Sequence, residues 1–532
     1  MRERFFGNTS PDRAWDTVVL GAGMGGLTAA AALSRAGQRV LVLERHWVPG
    51  GFTQTFKRRG WVWDVGVHAV GELDESGALA AILRDLTGSR LEWASMGDVY
   101  DEFHYPGFRV DFPRGVENFT RSLLDAFPGE REGIIQYVDA IREAANAVRG
   151  NYVARFAPAT VGRSAGNDLA RRAAEHLGRR TGDMLETFTR DRRLQLVLAG
   201  QWPNYGIAPA RSSWGLHAVI AAHYLEGAYY PVGGSARIAD AIVRVIYAAG
   251  GWTRINATVE RLVLERGAVA GVRLANGEII RTTRVVTAVG AQLTATSLLP
   301  PDEREKEWAR SIARVPQSPA HVCLYLGLRG DPREAGATSA NKWFYESWDA
   351  SSAVWHAERR DAVAPILFCS FPSLKNPAHA GGPASRHTAE VVTYVAWELF
   401  ERWRDARWQR RGAEYEALKR QLTERLLEQF LGHMPTLRPM VAHAELSTPV
   451  TTESFTHAPR GAMYGLEGTP ERYANPWLNA RTPVPGLYLA GVDIATVGVM
   501  GALMGGLLAA AEIAPTRVRA WLATAVRGAT AR

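Results

Sequence analysis

Two stretches of the 532-residue chain combine residue types that can do chemistry. In VWDVGVHAVG, residues 62–71, Asp64 and His68 interrupt an apolar run. Alternation with period two predicts a strand with Asp64, Gly66 and His68 on one face and Trp63, Val65, Val67 and Ala69 on the other. An imidazole titrates near neutral pH and suits proton exchange, whereas Asp64 suits a structural role, accepting backbone hydrogen bonds at a bend. In DTVVLGAGMGG, residues 16–26, three apolar residues run into Gly21, Gly23 and Gly26, and Glu44 follows 21 positions after Gly23. Gly21 permits a tight turn, Gly23 lets backbone amides approach a pyrophosphate, and Gly26 lets a helix pack close to the strand. Glu44 is placed to hydrogen-bond ribose hydroxyls.

The elements that must position these groups follow in order. Strand, glycine turn, the helix-forming LTAAAALSRAG and the strand RVLVLE make one βαβ unit, the context that separates a dinucleotide fingerprint from a glycine-rich turn. Residues 75–225 read as mainly helical (ESGALAAILRDL, IIQYVDAIREAANAV, DLARRAAEHLGRR), broken by a hairpin at FHYPGFRVDFPRG. The pair VERLVLE and AVAGVRL, joined at Arg266-Gly267, and the apolar strand VVTAV follow. Residues 296–440 read as mixed structure, with a strand HVCLYLGL, a long charged helix from about Val391 to Leu431, and many aromatics, among them Trp343, Phe344, Trp348, Trp355, Trp397, Phe400, Trp403 and Trp408. Such aromatics suit a core, or an apolar substrate channel. Near the C-terminus a strand GLYLAG leads to Asp493 and a glycine-rich helix start.

Composition narrows the function class. A chain of this length predicts two or more domains. Its hydrophobic fraction of 46% and charged fraction of 22% are those of an ordinary globular protein. The net charge of +8 comes without a zinc finger or an aromatic-interleaved basic stripe, so a nucleic-acid partner is not expected. Arg171/Arg172, Arg179/Arg180 and Arg192/Arg193 read as a solvated helix face, or else as a membrane-facing surface. Two cysteines, Cys323 and Cys369, point to a reducing, cytoplasmic setting, and the N-terminal MRERFFGNTSPDRAWDT has no apolar signal core. The apolar run 494–511, IATVGVMGALMGGLLAAA, holds four glycines and reads as a loop entering a buried helix, with an in-plane, peripheral membrane contact as the alternative.

Gly50 and Gly51 follow Glu44 at a spacing that resembles the FAD-binding extension of the flavin amine oxidase and phytoene desaturase superfamily, with Phe52 where that group often has Arg. The segments 64–71, 223–239 (HYLEGAYYPVGGSARIA), 371–381 (FPSLKNPAHAG) and 455–506 (FTHAPRGAMYGLEGTPERY through GVDIATVGVMGALMGG) resemble its retinol saturase and carotenoid isomerase branch, in order along nearly the whole chain.

The resemblance implies an α/β protein: a Rossmann-type, glutathione-reductase-like FAD-binding domain (11–74, 226–295 and 441–515) interleaved with an α+β substrate domain (75–225 and 296–440). It places Val259 near the adenine, and Gly491, Asp493, Gly498 and Val499 in a second FAD motif, where the acid meets the ribityl chain and the helix N-terminus favours negative charge on the reduced flavin. It puts His68, Tyr229 and Tyr230 near the isoalloxazine as candidate proton donors. The activity implied is FAD-dependent saturation of one double bond of a lipophilic polyene, with isomerisation, desaturation or a non-catalytic lipid carrier as alternatives. No second glycine fingerprint is visible, so the reductant is expected to be external.

Overall fold

The computed structural model describes residues 5–74, 77–156, 163–349, 352–382 and 385–530. Glu75 and Ser76, which open the expected helix ESGALAAILRDL, lie outside them; that helix covers Ala78–Leu86.

The fingerprint strand Thr17–Leu20 is buried along its whole length, as a central strand covered on both faces must be. It lies in a six-stranded parallel sheet whose spatial order is Phe6–Gly7, Trp252–Arg254, Val40–Leu43, Thr17–Leu20, Val285–Thr287 and Leu487–Leu489. Helix α1 (Met24–Arg35) follows the glycine turn, and helix α2 (Gly498–Ile513) follows the last strand. The two helices touch through glycine: a Cβ on Gly25 would stand 2.6 Å from Gly491 Cα, and one on Gly506 2.4 Å from Gly25 O. The run 494–511 is thus a short loop that enters a buried helix at Gly498, and no described helix is long and apolar enough to cross a membrane. The antiparallel strands Val259–Glu265, Ala268–Leu274 and Ile279–Arg281 form a small sheet of their own.

A second sheet of eight strands is mostly antiparallel. Its order is Val441–Ser447, Ala320–Arg329, Arg386–Val395, Ile366–Ser370, Asn341–Tyr345, Val99–Tyr105 and Phe108–Pro113, with Val354–Trp355 paired to Arg386–Val395. Helices Arg131–Ala154, Arg163–Leu177 and Trp214–His223 pack together beside it. The hairpin Thr55–Arg58/Trp61–Asp64 ties the halves together: the indole N–H groups of Trp61 and Trp63 donate to the carbonyls of Leu328 and Leu326.

The structure departs from four expectations. The helix from Val391 to Leu431 does not form; the β-branched Thr388, Val391, Val392, Thr393 and Val395 continue a strand, and the helix begins only at Ala413. The strand through 62–71 stops at Asp64, which pairs with Thr55, the first residue of its partner strand; beyond it Gly66 packs against Phe52, where a Cβ would meet the ring at 2.9 Å. Val441–Ser447, expected in the FAD-binding domain, hydrogen-bonds along Ala320–Arg329 in the second sheet. Phe6–Gly7, ahead of the expected start at residue 11, is the edge strand of the parallel sheet.

The basic pairs sit on the helical layer as an ion-paired face. Arg171 bridges Asp168 and Glu175, Arg172 reaches Glu143, Arg180 reaches Glu471 and Arg192 reaches Glu186, while Arg193 lies over Trp348 and Phe108.

Candidate active site

A cavity of about 650 Å³ opens where the C-terminal ends of the parallel strands meet the second sheet. Gly21, Gly23, Glu44, Gly50, Gly51, Val259, Gly491, Asp493, Gly498 and Val499 all line it. Gly26 does not; it sits beneath the turn, where a Cβ would come within 2.0 Å of Gly21 O. Gly50 is tied to the fingerprint itself, its N–H donating to Ala22 O at 2.8 Å.

A ligand-sized cradle is written into the glycines. A Cβ built on Gly23, Gly491 or Gly498 meets nothing within 4 Å, so each faces open cavity rather than protein. Above the first turn of α1, the Glu44 carboxylate accepts from the N–H groups of Ala22 (2.7 Å) and His46 (2.8 Å), and burial nevertheless raises its pKa. Beside it, Arg45 Nη1 is buried with no hydrogen-bond partner among the described residues. At the other end Asp493 is fixed by two backbone donors, Ala291 N–H to Oδ2 at 2.7 Å and Leu466 N–H to Oδ1 at 3.0 Å. Gly465 is required there, with φ of 70° and Asp493 Oδ1 only 2.4 Å from where its Cβ would stand. The buried Arg472 guanidinium holds the same turn by donating to the carbonyls of Leu466 and Val492.

The opposite wall is aromatic and apolar, with Trp343, Phe368, Ile366, Val392 and Tyr394 facing the cavity. Of the other aromatics singled out in the sequence, Phe344, Trp355, Trp397, Phe400 and Trp403 fill the core behind the second sheet. Trp348 stacks on Tyr105, and Trp408 meets Phe455 edge-on.

His68 stands between cradle and wall, its ring 4.9 Å from that of Phe368. Its Nδ1 is 3.0 Å from Glu390 Oε2 but off the hydrogen-bonding axis. Its Nε2 has no protein partner among the described residues, and the residue lines the cavity. Burial, helped by the charge of Lys375, pushes the imidazole pKa down to about 3, so His68 is neutral at pH 7.

Beneath the ring lies a buried polar cluster that sequence reasoning missed. Lys375 Nζ donates to His68 O (2.8 Å), Ser370 Oγ (2.7 Å) and Asn341 Oδ1. Asn341 Nδ2 in turn donates to Asp101, whose second oxygen accepts from Gln201. Burial lowers the Lys375 pKa to about 8 and raises that of Asp101 to about 6. Glu390, 0% exposed, is pushed up to about 8 by burial, against the Asp64 N–H bond and the charge of Lys375. His321 also lines the cavity, with Nδ1 buried and unpartnered.

Asp64 accepts from Tyr230 Oη, Ser235 Oγ and Ser235 N–H, and burial together with the nearby Glu390 raises its pKa to about 6. The Tyr230 hydroxyl is therefore committed to Asp64, and neither Tyr229 nor Tyr230 lines the cavity. Tyr229 instead exchanges backbone hydrogen bonds with Val70, which fixes the loop just after His68.

A family model for flavin-containing amine oxidoreductases matches residues 24–514. The chain belongs to that family. Within it, the chain falls in the retinol saturase and carotenoid isomerase branch. It is 32% identical to the all-trans-retinol 13,14-reductase of Rattus norvegicus, over 96% of this chain and 88% of the relative. It is 24% identical to the chloroplastic prolycopene isomerase of Daucus carota, over 94% and 80% respectively. An oxidoreductase of Methanosarcina mazei shares the fold, with a TM-score of 0.61, 19% identity and coverage of 92% of this chain and 98% of that one. The family's cofactor is a flavin, and the cradle of open-facing glycines with fixed acids at either end fits one.

Proposed function

We propose that this protein is an FAD-dependent oxidoreductase acting on a carbon–carbon double bond of a lipophilic conjugated polyene, and that it saturates that bond. The observation that carries the reading is the place of His68: a neutral imidazole with Nε2 free, set between a dinucleotide cradle and an aromatic wall. The choice of FAD rests on the βαβ fingerprint, which together with Glu44 and Val259 provides for an adenosine half. Gly21 and Gly23 would admit the pyrophosphate, Asp493 the ribityl chain, and the first turn of α2 the flavin ring. When bound, the reduced flavin supplies a hydride.

The chain's own residues do the rest. Trp343, Phe368 and Tyr394 hold a flat apolar chain and exclude water from it. His68 Nε2 delivers a proton to one carbon of the double bond, while the other carbon receives the hydride. Electrons come from a donor outside the chain, in keeping with the single dinucleotide fingerprint.

Anaerobic incubation of the reduced protein with retinoids, carotenoids and other unsaturated lipids, followed by mass analysis, tests this reading. A gain of two mass units is expected. A loss of two in a parallel incubation with the oxidised flavoprotein assigns desaturation, and an unchanged mass with altered geometry assigns isomerisation, the activity named for the carrot relative. His68→Phe should keep its flavin and lose turnover by about 10²-fold or more, the usual worth of a positioned acid. Unchanged turnover removes His68 from the mechanism.

A further inference from the structure

We propose that Glu390 is a relay residue: it holds a proton behind His68 and passes it to Nδ1 as Nε2 gives its own proton to the substrate carbon. The proposal rests on the saturation reading above and adds the source of the proton.

The geometry isolates the pair. Glu390 Oε1 accepts from the Asp64 N–H at 2.8 Å, while Oε2 is sealed from solvent and stands 3.0 Å from His68 Nδ1, close enough that a turn of the imidazole or of the carboxyl aligns the pair for transfer. The other ionisable groups around Glu390 are committed or too hard to deprotonate. Asp64 is held by Tyr230 and Ser235, and Lys375 spends its three hydrogens on Asn341, Ser370 and the backbone of His68, none on the ring. The thiols of Cys323 and Cys369 and the hydroxyls of Tyr325 and Tyr230 are all raised by burial and remain neutral. Of these groups Glu390 stands 3.0 Å from His68 Nδ1, and His321, the other imidazole at the cavity, is kept neutral by burial. Burial keeps Glu390 protonated up to about pH 8.

The step balances. A flavin, when bound and reduced, would supply the hydride and its electron pair for one C–H bond, and the π pair of the alkene forms the second with the proton from His68 Nε2. The Nε2–H bond breaks as Nδ1–H forms, and the Glu390 Oε2–H bond supplies that proton. The imidazole ends neutral in its other tautomer and Glu390 ends as a carboxylate; once product has left, Nε2 takes a proton from water in the open cavity and the Nδ1 proton returns to Glu390, which restores both groups.

Glu390→Gln in the flavin-loaded protein is the test. The amide keeps an oxygen for the Asp64 N–H and offers Nδ1 a hydrogen bond, but it cannot transfer a proton. Expected are a fall in kcat of at least tenfold, KM within about twofold, an unchanged flavin spectrum, and loss of the alkaline limb that the wild-type kcat profile shows as Glu390 ionises. ¹⁵N NMR of the resting wild-type protein should show His68 protonated at Nε2 below that limb and a tautomer change across it. In Glu390→Gln the tautomer should not change with pH. A wild-type kcat in the variant, or an alkaline limb that survives in it, overturns the relay. Should the variant lose flavin, the wild-type NMR titration decides alone, and a His68 signal that ignores the alkaline transition refutes the proposal. If no polyene is converted, the functional reading falls, whereas the tautomer titration still tests the coupling of Glu390 to His68 independently of turnover.

Discussion

Glu390→Gln should make the protein more stable while it makes the reaction slower. Glu390 is fully enclosed, and burial lifts its pKa from 4.5 to about 8. In the unfolded chain the same carboxyl ionises near its ordinary value. Between those two pH values the folded state therefore binds more protons than the unfolded one, and wild-type stability falls as pH rises, by about 1.4 kcal/mol per unit. Glutamine does not titrate. From the ordinary carboxyl pKa up to pH 7 the accumulated difference is about 3 kcal/mol in favour of the variant; it grows until about pH 8, then levels off. Below the ordinary carboxyl pKa both side chains are neutral and of equal shape, so the two proteins should be alike. Urea unfolding of both flavin-loaded proteins at pH 4, 7 and 9, at one fixed flavin concentration, measures this, because bound flavin shifts both midpoints. A variant less stable than wild type at pH 7, or an advantage that does not grow between pH 4 and pH 8, refutes the reasoning. Greater stability with lower turnover would mark a residue kept for chemistry at the expense of the fold.

Three further outcomes follow from the geometry. Gly23→Val points its side chain into open cradle and Gly23 has φ of −75°, so thermal melting of the flavin-free protein should be unchanged while flavin affinity falls at least tenfold by titration; Gly26→Ala, whose Cβ would collide with Gly21 O, should instead lower the melting temperature itself. Asp493→Ala strands the N–H groups of Ala291 and Leu466, each at a cost of about 1–3 kcal/mol, and flavin release on gel filtration should accompany the lost stability. Lys375→Met leaves three acceptors without their donor, each at a cost of about 1–3 kcal/mol and offset in part by relief of a buried charge, so urea unfolding should show a net loss of stability, and the His68 pKa, which Lys375 helps to depress, should rise in an NMR titration.

What the sequence discloses and what it hides have separate physical causes. The cofactor half rests on local geometry: Gly21, Gly23 and Glu44 fall within one βαβ unit, where residue type and spacing determine backbone shape, so their positions at the cavity are legible in advance. Asp493 and Gly498 follow the same rule at a second strand–helix junction. Glu390 and Lys375 obey no local rule. Glu390 lies in RHTAEVVTYV, a single acid among β-branched residues, in a run whose far end reads as the start of a helix yet folds as strand; the only available signal is a carboxylate where a buried strand has none to spare. Lys375 stands inside FPSLKNPAHAG, a segment that carries the family resemblance, yet nothing in its neighbours tells that its ammonium sits under the carbonyl of His68, 307 positions away.

The same asymmetry explains why VWDVGVHAVG is only half legible by itself. Asp64 and His68 do share a purpose, but alternation on one strand is not what unites them, since the strand ends at Asp64. They meet through a third residue: Glu390 takes the Asp64 N–H on one oxygen and faces the His68 ring with the other, across 326 positions of chain. Such a bridge needs the second sheet to be docked against the hairpin Thr55–Arg58/Trp61–Asp64, which the Trp61 and Trp63 bonds to Leu328 and Leu326 enforce. The proton-handling groups are therefore assembled only when both halves are joined. A variant that loosens that seam, such as Trp63→Ala, should leave the glycine cradle able to take flavin while the His68 tautomer loses its dependence on Glu390. Flavin binding by absorbance and the His68 ¹⁵N spectrum, measured on the same sample, separate the two effects. Loss of both together would show instead that cradle and proton site form one cooperative unit.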